Sequence, residues 1–297
     1  MVIKHIVIAG GGPTGLVSYG ALKYLNNVGF WNKNEIETIY TSSVGGIIGV
    51  LATLDYEWDV IDDYLIERPW EKAFAPMKND ILEIMYDKGI DGQEMYNICL
   101  APLLAGLDMK LETTLQEHFD RTNIEIVFTA TEINHDKCLK GVLISYKNYP
   151  DMMLSQALAC TSAFPMLFKP IFVGDECFVD GGLIHNYPLN HCLENTECGI
   201  NEVLALTNTV GEKPIKLDES SSFLEYARMM MKKCHWTLET SKDQPVVPNS
   251  IISHTEDISD MTAWFETLSD RTLRVSLITR GEEDAKQFIR ETSQETD

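Results

Sequence analysis

Two glycine-framed turns lie within the first 46 residues, each between a strand-like run and a helix-like run. They commit the chain to parallel strands joined through helices. The first runs from Ile6-Val7-Ile8-Ala9 into Gly10-Gly11-Gly12-Pro13-Thr14-Gly15. The second runs from Ile36-Glu37-Thr38-Ile39-Tyr40 into Thr41-Ser42-Ser43-Val44-Gly45-Gly46. Helical spacing follows each turn, with Leu16, Tyr19, Leu22 and Leu25 before Gly29, then an apolar run from Val44 to Leu54. This alternation of strand and helix predicts an α/β fold with a mainly parallel central sheet covered by helices.

Farther along, residues 55 to 120 read as helical, rich in Met, Tyr and Leu, with Pro69, Pro76 and Pro102 as punctuation. They predict a helical insertion beside the sheet. Strands are expected at 125–131, at 140–146 and at 203–207, with a helix around Met153 to Thr161. A short hairpin from Phe172 to Val179 would turn through Gly174-Asp175. The segment Phe223 to Leu238 is amphipathic, with Phe223, Ala227, Met230, Cys234 and Leu238 along one side, a stripe read as core packing.

Bulk properties narrow the partners. With 24 basic and 45 acidic side chains the net charge is −21, which repels a phosphate backbone and excludes nucleic acid as a partner. Any contact with a membrane would have to be local and apolar. Seven cysteines at 99, 138, 160, 177, 192, 198 and 234 form no C-x-x-C pair. They are expected to be free, mostly buried thiols rather than a disulfide framework or a zinc site. No charged-then-apolar leader and no run of eighteen apolar residues is visible, so a cytoplasmic protein, peripheral at membranes, is expected.

The chemistry of the turns has two readings. A glycine-rich turn opening a helix presents backbone N–H groups to an anion. Gly10-x-Gly12-x-x-Gly15 satisfies the dinucleotide fingerprint, but that reading needs an acid at the end of the second strand. The strand ends instead at Tyr40-Thr41-Ser42, with Glu35 and Glu37 at its beginning. The second turn matches G-x-S-x-G at Ser43 and Gly45, with Thr41 in place of the first glycine. A serine on such a corner is a candidate nucleophile, and the glycine loop beside it a candidate oxyanion hole. Ser43 follows only the second strand, earlier than the elbow of an ordinary α/β-hydrolase triad, although His185, His191, His235 and His254 lie downstream.

A third constellation, Val179-Asp180-Gly181-Gly182-Leu183-Ile184-His185-Asn186-Tyr187-Pro188, places a carboxylate where a strand stops. Taken in order, the G-G-G-x-x-G turn, the early serine elbow and the D-G-G followed by N-x-P resemble the patatin-like phospholipase family. The run Ala159-Cys160-Thr161-Ser162-Ala163-Phe164-Pro165 is similar to that family's small-residue segment before its aspartate strand. The resemblance covers about residues 5 to 195. It implies a three-layer α/β fold over that span, with residues 196–297 as a C-terminal extension packed on the same domain.

By that resemblance Ser43 matches the nucleophile and Asp180 its partner base, a dyad without histidine. Gly10, Gly11, Gly12 and Gly15 match the oxyanion loop, with Gly11 and Gly12 the expected donors because proline lacks an N–H. Gly45, Gly181 and Gly182 support the motifs. The implied activity is lipid acyl hydrolysis of the phospholipase A type through an acyl-enzyme, on a lipid or phospholipid substrate at a transient membrane-surface contact, with no cofactor or metal. Two positions depart from the family pattern: Thr14 stands where Arg or Lys is usual, and Thr41 where the first elbow glycine is usual. They keep open a second reading, a lipid- or acyl-binding relative without efficient turnover.

Overall fold

The computed structural model describes residues 2–73, 86–210, 216–240, 244–255 and 261–294. Eight strands form one sheet: β1 (His5–Ile8), β2 (Thr38–Thr41), β3 (Glu125–Glu132), β4 (Lys140–Ile144), β5 (Ile171–Val173), β6 (Glu176–Asp180), β7 (Val203–Val210) and β8 (Ser250–Thr255). Their order is β5-β6-β3-β2-β1-β7-β8, with β4 paired to β3. The block β3-β2-β1-β7-β8 is parallel throughout. Strands β4 and β6 run antiparallel to β3, and β5 antiparallel to β6. The hairpin read through Gly174-Asp175 is therefore the β5–β6 pair.

Alternation along the strands sorts the core into two layers. Ile6, Ile8, Ile39, Phe128, Leu204 and Leu206 pack on one face against the helices that follow the two glycine turns, Gly15–Asn27 and Val44–Thr53. Val7, Tyr40, Val127, Val203 and Ala205 pack on the other, with Leu189 and Cys192 of the Leu189–Thr196 helix. Helices on both faces of a mostly parallel sheet make the expected three layers.

The C-terminal residues are woven into this arrangement. Strand β7 lies beside β1 and β8 beside β7. The Arg271–Gln294 helix packs on Gly15–Asn27 closely enough that backbones touch. A Cβ at Gly20 would strike the Ile278 carbonyl, and one at Gly281 the Val17 carbonyl. Lys23 ties the seam, with Nζ 2.7 Å from both Asp62 and Glu282, while the Tyr19 hydroxyl donates to Asp62 at 2.7 Å. Gly281→Ala is expected to lower unfolding free energy by about 3 kcal/mol, read by urea denaturation. Helix propensity alone favours alanine by about 1 kcal/mol, so a stabilised variant would contradict the contact.

Two sequence expectations need correction. Pro102 does not punctuate; it lies inside the Gly92–Ala105 helix. A proline there removes the N–H that would pair with Ile98, and the Arg68 guanidinium donates to the Ile98 carbonyl instead, at 3.2 Å. The Tyr64 hydroxyl likewise donates to the next carbonyl, Cys99, at 2.6 Å. Pro69 does precede a short helix, Trp70–Ala73, and Pro76 lies outside the described residues.

The second correction concerns the 223–238 stripe. The helix forms, as Phe223–Thr240, but Phe223 is 80% exposed and Met230 46%, with Leu238 and Cys234 also exposed. The helix packs against the Gly182–His185 turn. All seven cysteines are free, but only Cys160, Cys177 and Cys192 are fully buried, while Cys138 and Cys234 face solvent.

Candidate active site

Parallel pairing of β1 with β2 puts both glycine turns at the same, carboxyl end of the sheet. They abut. A Cβ on Gly10 would come 3.0 Å from the Ser43 Cβ, and one on Gly15 would collide with the Val44 side chain. Gly45 is needed for the same reason, since a Cβ there would lie 2.6 Å from the Ile8 carbonyl oxygen. Ser43 itself has φ 51 and ψ −127, a left-handed corner that costs a non-glycine residue about 1–3 kcal/mol. Its backbone N–H is held by the Thr161 hydroxyl at 2.9 Å.

The carboxylate arrives from the far side of β3. Thr41 is level with Phe128 in the β2–β3 ladder, and Asp180 with Ala130 in the β3–β6 ladder. Two residues beyond Thr41 the chain reaches the height of Asp180. There the Ser43 hydroxyl donates to Asp180 Oδ2 at 2.8 Å. The other carboxylate oxygen, Oδ1, accepts the Gly182 N–H at 2.7 Å. Gly181 lets β3 approach, because a Cβ there would run into the Thr129 carbonyl.

Asp180 is 3% exposed, and burial pushes its carboxyl up to about 6 against the opposing pull of the bonds from Ser43 and Gly182. The hydrogen bonds that act on the Asp180 carboxyl come from Ser43 and Gly182. His185 packs edge-on against His191, 4.3 Å between ring centres.

The glycine loop divides its amides. The Gly10 N–H donates to the Asn186 carbonyl at 3.0 Å, and the Gly15 N–H to the carbonyls of Gly12 and Pro13. Those two glycines serve close approach rather than donation. Among the described residues the N–H groups of Gly11, Gly12 and Val44 have no hydrogen-bond partner. The Trp264 indole covers the loop, with Nε1 3.1 Å from where a Gly12 Cβ would be, and packs edge-on against Phe168.

Sequence reading missed several of these groups. Thr161 braces both corners, since its hydroxyl holds the Ser43 N–H and its carbonyl accepts the Gly181 N–H at 3.0 Å. Its only signal was membership of a small-residue run. Asn186 entered only as the start of the N-x-P motif and Val44 only as a member of the elbow, neither with this role, and Trp264 carried no signal. Thr41, the bulkier stand-in for glycine, is fully buried, and its methyl uses the space left by Gly49, where a Cβ would come within 3.0 Å. The end of β2 brings a hydroxyl and no carboxylate, so the dinucleotide reading has no ribose acceptor there.

Fold and site together define an α/β protein with a hydroxyl–carboxylate pair at the carboxyl ends of its parallel strands. Residues 6–193 match the profile of the patatin-like phospholipases, and the chain belongs to that family. It is 27% identical over 198 residues to "Probable lipid hydrolase 463L" of Invertebrate iridescent virus 6, covering 63% of this chain and 62% of that protein. It is 23% identical over 194 residues to "Uncharacterized protein R571" of Acanthamoeba polyphaga mimivirus, covering 63% of this chain and 60% of that one. The match thus spans less than two thirds of either relative. In fold the chain is similar to VipD from Legionella pneumophila, with a TM-score of 0.52 at 15% identity, covering 98% of this chain and 67% of that one.

Proposed function

We propose that the protein is a lipid acyl hydrolase, a serine carboxylic-ester hydrolase of the phospholipase A type. The observation that carries this is the 2.8 Å bond from the Ser43 hydroxyl to Asp180 at a left-handed corner, beside a loop whose Gly11 and Gly12 amides have no partner among the described residues. Family membership and the name of the iridescent-virus relative agree with it.

In this reading Ser43 Oγ attacks the ester carbonyl while Asp180 takes its proton. The carbonyl oxygen becomes an oxyanion, stabilised by N–H donation from Gly11 and Gly12, an effect worth on the order of 3 kcal/mol per donor. Collapse breaks the ester bond, and Asp180 returns the proton to the departing alcohol, leaving Ser43 acylated. Water then attacks the acyl-enzyme, gives its proton to Asp180, and the fatty acid leaves as Ser43 regains its hydrogen. A carboxyl held near 6 suits this cycle, because it stays ionised at neutral pH yet accepts a proton more readily than an ordinary aspartate.

Contact with lipid would be transient and apolar. Among the described residues no helix is long and apolar enough to cross a membrane. The exposed Phe223, Tyr226 and Met230 lie on a helix that packs on the turn following Asp180. With a net charge of −21, attraction to anionic headgroups contributes little.

The competing reading, an acyl-binding relative without turnover, rests on Thr14 and Thr41. A fluorophosphonate probe separates the two, because labelling requires an activated serine. The expected result is covalent modification mapping to the peptide that holds Ser43, with turnover on phospholipids, lysophospholipids, triglycerides or short p-nitrophenyl esters. An unlabelled, inert protein would favour the binding reading.

A further inference from the structure

Thr14 is 2% exposed and sits in a chain of hydrogen bonds. Its hydroxyl donates to the Gly11 carbonyl at 2.8 Å. That hydroxyl in turn accepts from Asn208 Nδ2 at 3.1 Å. Asn208 lies on β7, beyond the residues the family profile matches. Gly11 is confined by the same two groups: a Cβ there would collide with the Thr14 hydroxyl and lie 3.1 Å from Asn208 Nδ2.

We infer that Asn208 is a positioning residue of the glycine loop, acting through Thr14 to aim the Gly12 N–H. The argument follows from the planarity of the peptide unit. The Gly11 carbonyl and the Gly12 N–H belong to one peptide, which is trans, so they point in opposite directions. Fixing the oxygen fixes the hydrogen. A hydroxyl has one proton. With Asn208 donating to Thr14, the Thr14 proton is directed to Gly11, and the peptide plane cannot rotate freely about its neighbours. Gly12 has φ 57, a conformation that glycine shares with others at little cost, so restraint must come from outside the residue.

A second observation supports the assignment. Among the described residues, Asn208 Oδ1 is buried with no hydrogen-bond partner, a disadvantage that a smaller or apolar side chain would remove. The relay gives the amide a reason to be there.

This inference rests on the hydrolase reading for its effect on catalysis, and the test separates the two. Asn208→Ala and Thr14→Val are each expected to lower kcat for ester hydrolysis, and the rate of fluorophosphonate labelling, on the order of tenfold to a hundredfold with KM unchanged. Thr14→Ser keeps the hydroxyl and should stay near wild type. The double variant should be no worse than either single one, because the groups act as a unit. Amide hydrogen exchange across residues 10–15 should accelerate in Asn208→Ala and Thr14→Val alike, whether or not the protein turns over. Unchanged exchange in Asn208→Ala, or an effect on KM alone, overturns the relay. A wild type that neither hydrolyses nor is labelled overturns the hydrolase reading instead, and the exchange measurement still decides the relay.

Discussion

Ser43→Ala is expected to abolish fluorophosphonate labelling and to cut ester turnover by about ten-thousandfold or more, because no other hydroxyl occupies its place. The substitution removes one oxygen and leaves the surroundings intact. Gly182 still bonds Asp180, and Thr161 still holds the backbone N–H of residue 43. Alanine inherits the left-handed corner and its cost, so thermal stability should change little. Residual turnover would come from whatever substrate binding and the Gly11 and Gly12 amides provide without the nucleophile. Labelling that persists at wild-type rate in this variant would remove Ser43 from the chemistry altogether.

Asp180→Asn should be nearly as damaging to activity, and it makes an opposite prediction for stability. Asparagine keeps the shape and can still accept from Gly182, but it cannot take the Ser43 proton. A loss of about a thousandfold in kcat is expected, with the protein folded. In the wild type, kcat/KM should rise with pH through about 6 and level off above it, following ionisation of Asp180. An unchanged profile across that range would argue against Asp180 as the base.

Stability should run the other way. Burial raises the folded carboxyl to about 6 from an ordinary 3.8. Between roughly pH 4 and 6 the folded chain therefore holds more protons than the unfolded one, and stability falls as pH rises through that window. Above it the full penalty, on the order of 3 kcal/mol, is present. Asp180→Asn should accordingly be more stable than wild type at about pH 8 and lose that advantage near pH 4. A variant less stable than wild type at both pH values would place the carboxylate in a supporting rather than a reactive role.

Much of this geometry was legible because glycine marks the places where chain segments approach too closely for a side chain. Gly10, Gly15 and Gly45 are required by direct approaches between chain segments, so their spacing located both corners and the strands before them. Short strand-like runs then supplied β1, β2 and β7. What was not legible is what distant segments bring. That β6 runs antiparallel to β3, lifting Asp180 to the height of Ser43, is a matter of register between strands about fifty residues apart. Asn208 and Trp264 reach the loop from the far end of the chain with no local pattern to announce them. The 223–240 helix misled for a related reason. Amphipathic spacing identifies an apolar side but not whether anything covers it, and here Phe223 and Met230 face outward. Pro102 misled because a helix tolerates proline when another group, here Arg68, takes the orphaned carbonyl.

The glycine seam between residues 20 and 281 joins the helix at 15–27 to the helix at 271–294. During synthesis the earlier helix emerges with an apolar flank whose cover is made only after β8. The loop that would hold an oxyanion starts that same helix. A nascent chain therefore carries its serine long before the framework that braces the corner beside it is in place.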